Sequence, residues 1–156
     1  MAVPIRNVSA GNNFTFGAVS LEIFNPPAPQ FSQSPEANSV VMRVWYNNFC
    51  AFLPGDIENE QHASIVGKVG SRRCDVYKWP YHGRGSPQAS LLFDRFQPSN
   101  AVISVGANDL GLPSSTTLER LRISNTKIWR TDTDGDVYVH VDENGNFNIS
   151  ANLTAE

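Results

Sequence analysis

Between residues 40 and 82 the order of apolar runs and breaks leaves this chain few architectures. Val40 to Tyr46 and Phe49 to Leu53 are β-branched and aromatic runs separated by Asn47-Asn48. Two such runs around a short Asn turn read as a pair of strands. The second ends in Pro54-Gly55-Asp56 and leads into residues 57 to 69, where Ile57, Ala63, Ile65, Val66 and Val69 offer a helical apolar stripe. A third run, Asp75 to Trp79, closes at Pro80-Tyr81-His82-Gly83. A carboxylate, Asp56, and an imidazole, His82, thus follow the C-terminal ends of successive strands, where a metal site can be assembled.

The flanking segments extend the pattern. Phe14-Thr15-Phe16 and Val19 to Phe24 alternate at period two and predict a hairpin. Residues 25 to 37 hold four prolines, which forbid a regular helix or central strand, so a loop is expected. Ser86-Pro87 predicts a helix start, with serine as cap and proline at the first helical position, running to Phe96. Asn100 to Gly106 reads as a strand covered on both faces. A third helix is expected from Ser114 to Thr116, with Thr116 and Glu119 as a capping box. Lys127 to Arg130 predicts a strand, and Val137 to Val141 pairs with Asn146 to Ile149 across Glu143-Asn144-Gly145. Strands alternating with about three helices, plus hairpins, make this an α/β chain with a mixed sheet.

The 156 residues suit one domain, and 40% apolar with 17% charged residues is the balance of a soluble globular protein. No apolar run approaches the roughly 20 residues that span a bilayer. Met1 to Arg6 lacks the apolar core of a signal peptide, so a soluble, cytoplasmic chain is the expectation. Cys50 and Cys74, both in apolar strand-like contexts, are expected as buried thiols in a reducing compartment. Net charge is −3, unevenly spread: residues 67 to 130 carry ten Lys or Arg against four acids, and residues 131 to 156 carry six acids and no base. A basic middle favours phosphates, although solvated helix and loop charges account for it as well.

Asp56 has two readings. A carboxylate at a strand end can bridge divalent metals; an aspartate before a helix is also a good N-cap. His82 opens the flexible loop Gly83-Arg84-Gly85-Ser86, which can offer backbone N–H groups and an arginine to a phosphate or carboxylate. An ordinary strand-to-helix turn fits the same residues. His62 in a helix and His140 in a strand receive no role. Asp132 to Asp136 with Glu143 imitates a calcium loop, but Val137 stands where a glycine must make the turn, so an acidic turn between strands is expected. There is no Walker loop, GxGxxG, CxxC, HExxH or GxSxG string.

Taken in order, Leu53-Pro54-Gly55-Asp56-Ile57-Glu58, Pro80-Tyr81-His82-Gly83, Ala101-Val102-Ile103-Ser104-Val105-Gly106-Ala107-Asn108, Gly111-Leu112-Pro113 and Trp129-Arg130-Thr131-Asp132-Thr133-Asp134-Gly135 form a set. That set resembles the metallo-β-lactamase-like hydrolase domain of ComEC-type competence proteins, the channel proteins of bacterial DNA uptake. The family's domain is an αββα sandwich of two similar halves around a di-metal site. Its His-x-His-x-Asp-His signature lies in the N-terminal half and is absent from this sequence. The resemblance therefore implies that residues 1–156 form a single partial domain, the C-terminal half.

Within that half, the resemblance makes Asp56 the bridging aspartate and His82 the second histidine of His-His-Gly. Tyr81 replaces the first histidine, Arg84 the serine after the glycine, and Leu112 the histidine of Gly-His-Pro. Arg84, Ser86 and Asn108 are the residues expected to meet substrate, and no catalytic residue is named. The implied function is half of a metal-dependent phosphodiester hydrolase, inactive by itself, with zinc or manganese held only when a partner half completes the site. A non-catalytic module that docks on a partner half or on itself is the alternative. Nucleic acid is the further partner the resemblance suggests.

Overall fold

The apolar runs become a seven-stranded sheet whose strands lie side by side in chain order. Residues 5–28 and 32–152 are described by the computed structural model; residues 29–31 of the Pro-rich loop lie outside them. Strands β1 (Asn13–Phe16), β2 (Val19–Asn25), β3 (Val41–Tyr46) and β4 (Phe49–Leu53) form an antiparallel meander. Helix α1 (Asn59–Val66) carries the chain over to β5 (Val76–Lys78), and α2 (Pro87–Phe96) leads to β6 (Asn100–Ile103). Helix α3 (Ser115–Ile123) leads to β7 (Lys127–Arg130), and β4 to β7 run parallel. The sheet is mixed, as expected.

Strand register assigns each side chain to a face. Glu22, Arg43, Phe52, Tyr77, Ala101 and Ile128 pair across the sheet in one row on the helix side. Phe52 and Tyr77 stack there with ring centroids 5.9 Å apart, against Phe93 and Phe96 of α2. Ile65, Val69, Leu92 and Leu121 complete a core in which each is essentially inaccessible. Burial of side chains of this size contributes about 1.5–3 kcal/mol each. Ser86 caps α2 as predicted, its Oγ accepting from the Ala89 N–H at 3.0 Å, with Pro87 at the first helical position.

Among the described residues, helices α1, α2 and α3 leave the opposite face uncovered. Ile23, Met42 and Leu53 form one row on it, and Lys78, Val102 and Trp129 another. Part of this face is covered by a two-stranded ribbon, β8 (Asp136–Val141) and β9 (Phe147–Asn152). The ribbon leaves the end of β7, and its tip reaches the β3–β4 turn. There the Asn47 amide donates to Glu143 O at 2.7 Å, and the Phe49 and Phe147 rings meet at 5.4 Å. Gly145 at the tip is required: a Cβ would lie 2.8 Å from the Asn48 nitrogen, and φ is +83°. Beyond the ribbon, Phe14, Phe16, Leu21, Ile23, Val40 and Met42 line an open apolar groove of about 720 Å³.

Several expectations are corrected. Cys50 and Cys74 are buried, but as a disulfide joining β4 to the segment before β5, because the parallel neighbours bring them together. The cap of α3 is Ser114, which accepts from the Thr117 N–H at 3.2 Å; Glu119 instead pairs with Arg122 one turn on. The acidic stretch is not a plain turn: Thr131–Asp134 forms a single helical turn, α4, where the Arg130 N–H donates to Asp134 Oδ2 at 2.7 Å. It makes a fourth α-helix where about three were expected. Strand β6 stops at Ile103, because pairing with β7 ends there and the Val105 N–H donates instead to Thr131 Oγ1 at 2.8 Å.

Candidate functional site

The C-terminal ends of parallel strands are where an open α/β sheet leaves a crevice. Here the loops after β4, β5 and β6 converge. Gly55 adopts φ +62°, and a Cβ on it would sit 2.9 Å from Ser39 Cβ. That close approach lets the Asp56 N–H donate to Ser39 Oγ at 3.2 Å. Asp56 is not the helix cap: Glu58 holds that position, and no side chain caps α1. The Asp56 carboxylate is instead turned toward the next loop.

Tyr81, His82 and Gly83 follow β5 in a 3₁₀ turn, with φ of 49°, 53° and 91° in succession. Left-handed φ at two consecutive non-glycine residues costs on the order of 1–3 kcal/mol each and persists only where the surroundings enforce it. The enforcement is visible. The Gly83 N–H donates to Pro80 O, the Ser114 N–H donates to Gly83 O, and a Cβ on Gly83 would lie 2.4 Å from Pro113 Cβ. The Trp79 indole donates to Arg84 O at 3.2 Å.

This turn brings His82 Nε2 to 3.4 Å from Asp56 Oδ2, and the other ring nitrogen, Nδ1, to 2.8 Å from Ser104 O after β6. A carbonyl can only accept, so Nδ1 carries the proton and donates. Nε2 is then left with its lone pair toward Asp56 whenever the ring is neutral. Both side chains are partly exposed, 49% for His82 and 35% for Asp56. A third group, missed in the sequence, completes the cluster: Lys78 Nζ stands 3.6 Å from Asp56 Oδ1. Burial lowers the Lys78 pKa, and the Asp56 charge opposes that shift. Its signal was available, since Lys78 is the last residue of the strand that leads to His82.

The other expected residues are placed as follows. Arg84 is exposed, with its guanidinium carbon over the Tyr81 ring, 4.0 Å from the centroid. The Ser86 hydroxyl is engaged as the α2 cap. Asn108 organises its own loop, donating to Gly106 O and Leu112 O and accepting from the Leu110 and Leu112 N–H groups. Among the described residues, no three His, Cys, Asp or Glu side chains converge as a metal-binding group. Asp56 and His82 thus supply two donors, and a tight zinc site takes about four. No helix among the described residues is long and apolar enough to cross a membrane.

Comparison with known proteins finds similarity at low identity. No protein-family model matches the chain. ComE operon protein 3 of Bacillus subtilis (strain 168) is 25% identical over 149 residues, 94% of this chain and 19% of that protein. Competence protein ComA of Neisseria gonorrhoeae is 27% identical over 114 residues, 72% of this chain and 16% of that protein. The chain therefore spans under one fifth of the length of these curated relatives. Among solved structures, a candidate metal-dependent hydrolase from Parabacteroides distasonis superposes with TM-score 0.50 at 12% identity, over 79% of this chain and 56% of the other. CmlA, a diiron β-hydroxylase from Streptomyces venezuelae, superposes with TM-score 0.53 at 9% identity, over 83% of this chain and 34% of its own. At these identities the structures establish a shared fold, and the competence proteins are what the chain is similar to.

Proposed function

We propose that the chain is the C-terminal half of a ComEC-like, metallo-β-lactamase-fold phosphodiester hydrolase. The observation that carries this reading is the 3.4 Å approach of His82 Nε2 to Asp56 Oδ2 at the ends of β4 and β5. Asp56 would hold a divalent zinc or manganese ion through its carboxylate, and His82 would hold it through Nε2. Two donors do not fill a coordination shell, so the remaining ligands come from a partner half. When bound, such an ion makes water nucleophilic at neutral pH and neutralises charge at phosphorus. The residues of this chain prepare the place. Ser104 O fixes the His82 tautomer, and Lys78 holds positive charge beside Asp56, where a phosphate oxygen can be met. Arg84 extends that positive rim.

The experiment is hydrolysis of single-stranded DNA with zinc or manganese, by the chain alone and mixed with the polypeptide encoded immediately upstream. Activity only in the mixture, abolished by Asp56→Ala, supports the reading. A mixture without metal-dependent cleavage sinks it.

A second reading has its own observation. The groove of Phe14, Phe16, Leu21, Ile23, Val40 and Met42 is apolar, and Phe16 is 65% exposed. This helix-free face suits a docking module that pairs with a complementary half or with a second copy, with no chemistry of its own.

A further inference from the structure

The ten bases of residues 67–130 divide in the fold. Lys78, Arg120, Arg122 and Arg130 are each paired with an acid. Arg84 and Lys127 are placed over the Tyr81 and Trp129 rings. The remaining four, Lys68, Arg72, Arg73 and Arg95, are exposed and form no ion pair among the described residues. They gather where the chain leaves α1 and α2 and enters β5.

Neutral groups hold all four. Arg95 Nε donates to Gly70 O at 2.6 Å, and Arg73 donates to Gln97 Oε1, which ties the 67–73 loop to the end of α2. Arg72 stands over the Trp45 ring, 3.9 Å from its centroid, and Lys68 donates to Ser64 Oγ at 3.1 Å. A carbonyl, an amide, a ring and a hydroxyl fix these cations in place without cancelling their charge. The acids around them are engaged elsewhere: Glu22 accepts from Arg43 and Trp45, Asp75 accepts from the Cys50 N–H, and Asp94 pairs with Arg120. Helix ends account for part of the cluster, since Lys68 and Arg95 stand near the C-termini of α1 and α2, where cations offset the carbonyl dipoles. Arg72 and Arg73 lie in the loop and serve neither helix.

Positioned guanidinium groups with free N–H donors match the oxygens of phosphates. Residues 67–73 expose no large apolar side chain that would anchor the patch in a bilayer, Val69 being buried. The patch lies before β5 and the Asp56–His82 rim lies after it, and the chain from Asp75 to His82 spans at most about 25 Å even if fully extended. We propose that Lys68, Arg72, Arg73 and Arg95 form a tracking surface for the phosphate backbone of a single-stranded nucleic acid, outside the Asp56–His82 rim and read without regard to base. The choice of phosphate over carboxylate rests on the phosphodiester reading above.

The test is fluorescence anisotropy of a fluorescein-labelled oligothymidylate with the chain in EDTA, so that binding is read without turnover. Potassium chloride is varied from about 50 to 200 mM, because each neutralised phosphate of a single strand contributes about −0.7 to the slope of log affinity against log salt. Lys68→Gln combined with Arg73→Gln should make that slope shallower by about 1.4 and weaken binding about tenfold at about 100 mM salt. Arg122→Gln combined with Lys127→Gln removes the same charge elsewhere and should leave the slope as it is. If circular dichroism shows the first double variant unfolded, the exposed Lys68→Glu replaces it, with a slope shallower by about 0.7 or more. Equal slopes in the patch variant and the control overturn the proposal, as does binding to vesicles of phosphatidylglycerol and phosphatidylcholine in place of the oligonucleotide. Patch-dependent binding without hydrolysis by the completed protein overturns only the hydrolase reading. Hydrolysis by the completed protein, with patch variants binding like the parent, overturns only the patch assignment.

Discussion

Lys78 Nζ lies 3.6 Å from Asp56 Oδ1, while His82 faces the other oxygen of the same carboxylate. The Asp56 carboxylate therefore already has a counter-charge. A cation entering here competes with an ammonium for one oxygen and has two protein donors to gain.

The first expected outcome follows from that competition. The chain purified alone, without chelator, should hold less than one equivalent of zinc or manganese by elemental analysis. One or two tightly held equivalents would show that this half assembles a complete site.

A second expectation concerns pH. Burial acts to raise the Glu22 pKa, but hydrogen bonds from Arg43 and Trp45 prevail and hold it below the usual carboxylate value. A depressed folded-state pKa means that this stabilisation is fully present above the unfolded value and is lost as pH falls through the folded one. Glu22→Gln should cost about 1–2 kcal/mol at pH 7. That is less than a fully buried pair would lose, because the Glu22 side chain is 34% exposed. Urea midpoints of the parent should fall more steeply than those of the variant below about pH 4.

Tyr77 offers a test of opposite sign. It is 0% exposed among Phe52, Trp79 and Phe93, and its hydroxyl has no partner among the described residues. Burial pushes its pKa far above the normal phenol value. Tyr77→Phe removes an unpaired polar atom and keeps the ring, so it should be neutral or stabilise by about 1 kcal/mol in thermal unfolding. A large destabilisation would reveal a partner for that hydroxyl.

The two caps separate position from residue type. Ser114→Ala should destabilise by about 1 kcal/mol. Thr116→Ala, two residues on, should change the denaturation midpoint far less. Equal losses would restore the capping box at Thr116.

Most strands were legible because their side-chain alternation is local. Even the Asp56–His82 approach could be anticipated, since two residues that follow neighbouring parallel strands must end near each other. What escaped the sequence depends on the third dimension. Ser114-Ser115-Thr116-Thr117 presents four hydroxyls in a row, and only the approach of the Gly83 loop decides which one caps α3. The cysteines are 24 residues apart, so their pairing depends on β4 and β5 lying side by side. His62 sits in a polar helical stretch without spacing that marks it, and its burial arises from the packing of α1 against α2. The metal-site reading itself rests on resemblance, because two ligands at strand ends carry little specificity alone.

The apolar groove supplies one more expectation. Sedimentation velocity at micromolar concentration should show self-association, and Phe16→Lys, which places a charge in the groove, should reduce it. A compact monomer with a sharp thermal transition would mean that the ribbon closes the face sufficiently by itself.

Because β1 to β7 pair in the order in which they occur in the chain, each strand can add to an edge already present as synthesis proceeds. The ribbon breaks that order. Its tip at Glu143 meets Asn47, a separation of 96 residues. The ribbon therefore reaches back past the whole parallel part of the sheet to the β3–β4 turn, and a nascent sheet leaves Phe49 without its Phe147 partner until the ribbon has been made. Closed on an unfolded chain, a loop of that span would be entropically costly; closed on a finished sheet, only the stretch between β7 and the ribbon tip remains to be ordered, so the sheet itself prepares the docking of the ribbon.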